Sequence, residues 1–263
     1  MMAAALVGAR SRLRRVPGFV VLLLALVLVG GVYTVFAPTG YAEELAVPDP
    51  AKVAEGERLY LEGCISCHGR NAQGVTDRGP SLIGVGPASV EFQVSTGRMP
   101  AARQEAQITR KTPKYSEEET EAMAAYIQSL GGGPEIPEGD LRAGDPAKGG
   151  ELYRLNCASC HSYGLNGGAL SSGKYAPSLE PATDRDLYAA MLTGPQNMPV
   201  FGDTQLTPQE KRDIIAFVQS VKNEPDPGGL GLGRTGPVPE GLVVFLVGMS
   251  ALLFGTLWVA GKS

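Results

Sequence analysis

The chain has 263 residues, with 23 Lys and Arg against 27 Asp and Glu, a formal net charge of -4. That balance leaves no basic excess to neutralise phosphates, which excludes a nucleic-acid-binding protein. Glycine (35) and proline (20) are abundant, which points to loop-rich domains joined by flexible connections. All four cysteines and both histidines fall in two five-residue clusters, Cys64-Ile-Ser-Cys67-His68 and Cys157-Ala-Ser-Cys160-His161.

From the N-terminus, residues 1–15 are basic, with Arg10, Arg12, Arg14 and Arg15, and an uncharged apolar run from Phe19 to Phe36 follows. A transmembrane helix over 16–37 is expected, near the shortest length that spans hydrocarbon, with its basic end in the cytoplasm. A cleaved signal peptide shares the basic start and apolar core, and Tyr41-Ala42 is a weak cleavage site, so both readings stand. At the other end Gly241 to Gly261 carries no charge, with Trp258 near its end and Lys262 just beyond. It reads as a second transmembrane helix, 241–261, whose lysine end is cytoplasmic. The residues between the spans are then extracytoplasmic, on a side where free thiols usually pair.

The middle of the chain is a duplication. Asp49-Pro50-Ala51-Lys52 and Asp145-Pro146-Ala147-Lys148 open the two copies as helix starts. Gly56-x-x-Leu59-Tyr60 precedes the first cluster as Gly149-x-x-Leu152-Tyr153 precedes the second. Pro80-Ser81-Leu82 matches Pro177-Ser178-Leu179, and a Gly/Pro loop in each copy ends in Met99-Pro100 or Met198-Pro199. Ser116-x-x-Glu119 and Thr207-x-x-Glu210 are capping boxes that start a closing helix in each copy. Two homologous domains follow, 46–131 and 143–222, with linkers at 132–142 and 223–240. Both read as helices around loops, without an alternating strand pattern. Domains this small need something besides side chains to fill a core.

Cys-x-x-Cys-His on a helical turn puts both thiols and the imidazole on one face, the pattern of covalent c-type haem attachment. Cys64 and Cys67 would bond one haem and Cys157 and Cys160 a second, with His68 and His161 as iron ligands. A structural zinc site needs four Cys or His ligands and each cluster offers three. A thioredoxin-like dithiol needs a βαβ setting that neither cluster has. With both histidines used, the remaining axial ligand must come from elsewhere. Met123 and Met191 lie in helices and read as core, whereas Met99 and Met198 sit in matched loops before a proline, which holds each in extended backbone. They are the expected distal ligands of haem 1 and haem 2. Pro80 and Pro177 are expected beside the proximal histidines as packing or carbonyl groups, and Tyr60 and Tyr153 as core aromatics. The acidic run Glu117–Glu119 fits a helix first turn, where the dipole favours carboxylates.

Each domain resembles a class I cytochrome c, on Gly-x-x-Leu-Tyr, Cys-x-x-Cys-His, Pro-x-Leu, Met-Pro and a closing aromatic helix in that order. With the two spans, the arrangement resembles the dihaem cytochrome c subunits of actinobacterial cytochrome bc complexes. The resemblance implies an all-α fold of two tandem class I cytochrome c domains flanked by transmembrane helices. It implies two covalent haems c and no catalytic residues of its own. The implied partners are a cytochrome b, a Rieske iron–sulfur protein as electron donor, and a cytochrome c oxidase as acceptor. The loop that follows Pro100 has no place in that pattern. The alternatives are the dihaem subunit of a haem–copper oxidase, which would not end in a transmembrane helix, and a dihaem peroxidase, which needs an open iron position.

Overall fold

In both halves a helix that ends at a Cys-x-x-Cys-His turn is crossed by the helix that closes the same half, and glycine sets how near the two come. The computed structural model describes residues 17–36, 48–103, 105, 107–225, 232–234 and 237–262. The chain forms two units, Met1–Ala46 and Val47–Ser263. Of the first, the described part is helix α1, Gly18–Phe36. The basic segment before it and Tyr41-Ala42 lie outside the described residues.

The second unit contains the repeat. Helices α2 (Pro50–Gly63), α3 (Ile65–His68), α4 (Pro87–Ser95) and α5 (Glu117–Ser129) make the first set. Helices α6 (Pro146–Asn156), α7 (Ala158–His161), α8 (Asp184–Thr193) and α9 (Pro208–Asn223) make the second, and α10 (Pro237–Ala260) ends the chain. The start signals read from the sequence act as caps. The side chains of Asp49 and Asp145 accept from Ala51 N and Ala147 N, and a proline occupies the first turn of each helix. Ser116 with Glu119 and Thr207 with Glu210 form both bonds of a capping box. A third box, Thr183 with Asp186, starts α8; aspartate in place of glutamate at the third position hid it from the sequence pattern.

Helix α2 packs on α5 and α6 on α9. A Cβ at Gly56 would lie 1.9 Å from the carbonyl oxygen of Ala122, and one at Gly149 would lie 1.8 Å from that of Asp213. The absence of a side chain therefore lets two backbones touch. One turn on, Tyr60 meets Tyr126 with ring centroids 5.3 Å apart, and Tyr153 meets Phe217 at the same separation. These tilted pairs contribute roughly 1 kcal/mol each beyond their buried area.

The chain is not wholly helical. Gly168–Ala169 and Tyr175–Ala176 pair as a short antiparallel ribbon, β1 and β2, around a 3₁₀ turn at Ser171–Gly173. Two-residue strands are too short for the period-2 pattern that betrays a strand in sequence. Nor is the linker at 132–142 free: Ile136 and Leu141 are buried in one apolar cluster with Tyr153, Leu187 and Tyr188, and Pro134 accepts a hydrogen bond from Ala88 N. Of the second linker, 223–240, residues 226–231, 235 and 236 lie outside the described residues; Asn223 extends α9 and α10 starts at Pro237.

One described helix is long and apolar enough to cross a membrane, Val238–Ala260, with none of its apolar window buried. The apolar described part of α1, Gly18–Tyr33, is shorter than that. Replacing Gly149 with alanine should force α6 from α9 and cost about 1–3 kcal/mol. Circular dichroism melts should show the midpoint falling by about 5 °C, and an unchanged midpoint would mean that the helices do not touch at this residue.

Candidate haem sites

Both histidines are built by the same local construction. Cys64 closes α2 and opens α3, and Cys157 does so between α6 and α7, so each cluster continues directly from the helix whose crossing is fixed by glycine. After His68 the chain reverses at Gly69, with φ 78°, and after His161 at Ser162, with φ 59°. That conformation costs a serine about 1–3 kcal/mol, and the fold holds it in place. Tyr60 donates a 2.6 Å hydrogen bond to the Gly69 carbonyl and Tyr153 a 2.8 Å bond to that of Ser162. The two core tyrosines thus pin the turn behind each histidine.

A second loop returns to the imidazoles. Leu82 N donates to Ala72 O and Leu179 N to Leu165 O, both at 2.8 Å, which sets the two Pro-Ser-Leu segments. They bring the Pro80 carbonyl to 2.8 Å from Nδ1 of His68 and the Pro177 carbonyl to 3.0 Å from Nδ1 of His161. A carbonyl only accepts, so Nδ1 carries the proton and Nε2 keeps its lone pair, the form that binds a metal. Burial also holds His161 below the ordinary histidine range, while the Pro177 carbonyl pulls the other way. The two prolines are therefore carbonyl acceptors, as the sequence placed them.

The four cysteines are unpaired. Burial pushes the Cys157 thiol up to about 12 and raises that of Cys64. Among the described residues no group of three or more His, Cys, Asp or Glu is placed to hold a metal ion.

In the second half Cys157, Cys160, His161 and Met198 line one cavity of about 360 Å³. Leu179, Leu187, Met191, Phe201, Ile214 and Val218 supply apolar wall around them. In the first half Cys64 packs against the cluster of Tyr60, Ala72, Tyr126 and Ile127, and Met99 against that of Leu59, Val94, Ala122 and Met123. Met123 and Met191 are core residues, as expected. An apolar cavity with two thiols, an oriented imidazole and a thioether fits a covalently held haem: sulfur and imidazole are iron donors, and the walls supply the low dielectric.

The second cavity has a wall the sequence did not announce. Phe92, Arg98 and the segment Gln107 to Arg110, all from the first half, line it. The loop after Pro100 lies against the other half: Tyr175 N donates to Gln107 Oε1 at 3.0 Å, Gln196 Nε2 to the Ile108 carbonyl at 2.8 Å, and Arg110 pairs with buried Asp186 at 3.0 Å. Arg185 also pairs with Glu91, its Nη2 2.7 Å from the carboxylate. A contact between copies leaves no trace in a pattern read within each copy.

Comparisons with known proteins agree with this geometry. A cytochrome c family model matches residues 53–131, and a model described as cytochrome c oxidase, cbb3-type, subunit III matches 144–218. A cytochrome bc1 complex cytochrome c subunit from Corynebacterium efficiens is 48% identical over 97% of this chain and 92% of its own length. The subunit of that name from Mycobacterium bovis is 50% identical over 97% of this chain and 94% of its length. A cbb3-type cytochrome c oxidase subunit from Rhodobacter capsulatus is 33% identical, over 32% of this chain and 31% of its own.

Burial pushes the Tyr60 hydroxyl from its ordinary 10 up to about 12. A group whose value is raised on folding supports the fold fully below its unfolded value and loses that support as pH rises through the folded one. Between pH 10 and about 12 the unfolding free energy of the intact chain should therefore fall, and Tyr60→Phe should flatten the fall. Denaturant titrations across that range test it; equal slopes in both proteins would refute the burial of this hydroxyl.

Proposed function

The chain belongs to the family of cytochrome bc1 complex cytochrome c subunits, and from that premise we propose that it carries two haems c and conducts electrons between the complex and a terminal oxidase. The observation that carries the proposal is the duplicated imidazole–carbonyl construction at His68 with Pro80 and at His161 with Pro177. Cys64 and Cys67 would tether the first haem and Cys157 and Cys160 the second. His68 with Met99, and His161 with Met198, would hold the two irons. When bound, the haems would supply one-electron chemistry between a Rieske iron–sulfur protein beside a cytochrome b and a cytochrome c oxidase.

The chain's own residues hold the rings, fix the imidazole tautomer and exclude water. Methionine opposite histidine raises the potential of an iron, which suits the oxidising end of a respiratory chain. With Met99 and Met198 as the second ligands, neither iron would offer an open position to a peroxide, which is what a peroxidase reading needs. The cbb3-type match to residues 144–218 favours an oxidase subunit, but it covers one half of the repeat, whereas the bc1 relatives align across both halves and α10.

Topology on this reading has α10 as a C-terminal anchor and α1 as a second span, with both ends cytoplasmic and the haem-bearing halves outside. The ammonium of Lys262 lies 3.9 Å from the Trp258 ring centroid, an aromatic–cation pair of the kind found where a helix leaves a bilayer. The arginines before α1 put the N-terminal end of the first span on the cytoplasmic side as well.

Two outcomes test the proposal. The ferric chain should show two sulfur-to-iron charge-transfer contributions in the near-infrared, and Met99→Ala and Met198→Ala should each remove one. Persistence of both bands in both variants would reject these ligands. Mild-detergent purification through a tag after Ser263 should retrieve a cytochrome b and a Rieske protein. Recovery with an oxidase but without either would favour the oxidase reading.

A further inference from the structure

The second cavity contains charges that iron ligation does not use. Apart from His161, the cationic side chains among the described residues lining it are Arg98 and Arg110, and both come from the first half of the chain. Arg98 follows α4 and is 8% exposed, with its guanidinium carbon 4.7 Å from the Phe92 ring centroid. Its Nη1 is buried without a hydrogen-bond partner. An unpaired guanidinium nitrogen removed from water is unfavourable unless a ligand supplies the missing acceptor. Arg110 beside it holds Asp186 at 3.0 Å, and that carboxylate also takes the Thr183 amide in the cap of α8, so Asp186 is already engaged.

A haem is a dicarboxylate: the thioether bonds tether its vinyl edge and the two propionates leave from the opposite edge. Carboxylates enclosed in an apolar cavity require cationic partners, and a guanidinium presents its donors in a planar fork that matches them. We infer that Arg98, supported by Arg110, receives a propionate of the haem held by Cys157, Cys160, His161 and Met198, so that the first half of the chain completes the cofactor site of the second. The inference rests on the reading that this cavity holds a haem. It also accounts for the loop after Pro100, whose contacts with Tyr175, Gln196 and Asp186 place Arg110 at the cavity wall.

Spectroelectrochemical titration of the full chain in detergent tests it, the second-half wave being the one that Met198→His displaces. Arg98→Gln leaves a propionate charge unneutralised near that iron and so favours the ferric state. The ferrous-to-ferric ratio of that haem at fixed ambient potential should fall about tenfold, a shift of about 59 mV for one electron, with both sulfur-to-iron bands retained. Arg98→Lys should restore most of the shift, and Arg110→Gln should move the same wave in the same direction. The propionate bending mode of that haem in resonance Raman spectra should shift in Arg98→Gln, which a merely structural residue would not cause. Waves that stay in place in both glutamine variants, or a shift confined to the first-half haem, would overturn the inference. One haem per unsubstituted chain by pyridine haemochrome would instead remove the two-haem reading beneath it.

Discussion

Two backbones can touch at Gly56 and at Gly149 because nothing stands between them, and the geometry of each half is built outward from that contact. Close crossing aligns Tyr60 with Tyr126 and Tyr153 with Phe217. The same tyrosines reach the carbonyl just past each histidine and fix the turn on which the ring is mounted. A proline carbonyl from the following loop then selects the tautomer. Every step positions the next, so a Cβ added at the crossing would be felt at the imidazole.

The halves repeat one another but are not independent. Helix α4 packs on α8, Ala88 and Phe92 are buried in the apolar cluster of the second half, and the linker residues Ile136 and Leu141 join them. Charge pairs cross the same boundary, with Glu91 on Arg185 and Arg110 on Asp186. A flexible tether would only raise local concentration. These contacts go further and fix the orientation of one half on the other. The Met99 loop is part of this boundary, since Arg98 beside it lines the second cavity.

Much of this was legible in the sequence because it depends on local order. Capping residues and the clusters act within a few residues of where they stand, and the Gly-x-x-Leu-Tyr and Pro-Ser-Leu segments, whose partners are more distant, recur at matching places in the two copies. Comparing the copies then showed which side chains share a role. What stayed hidden depends on contact at long range. Arg98 and Arg110 look like surface charge until the fold buries the first over Phe92 and pairs the second with Asp186, and a linker rich in glycine and proline gives no sign that Ile136 and Leu141 are buried. The β1–β2 ribbon was missed for a different reason: four residues carry too little period to be read. The candidate site residues were readable as types and spacings, whereas the wall that closes the second cavity was not.

A covalent haem survives denaturation, so the central claim, that one chain bears two of them, can be tested on the unfolded polypeptide. Intact-mass spectrometry of the acid-denatured chain should give the polypeptide mass plus two haems, and plus one when both Cys64 and Cys67, or both Cys157 and Cys160, are replaced by alanine. An unsubstituted chain carrying one haem or none would contradict the account.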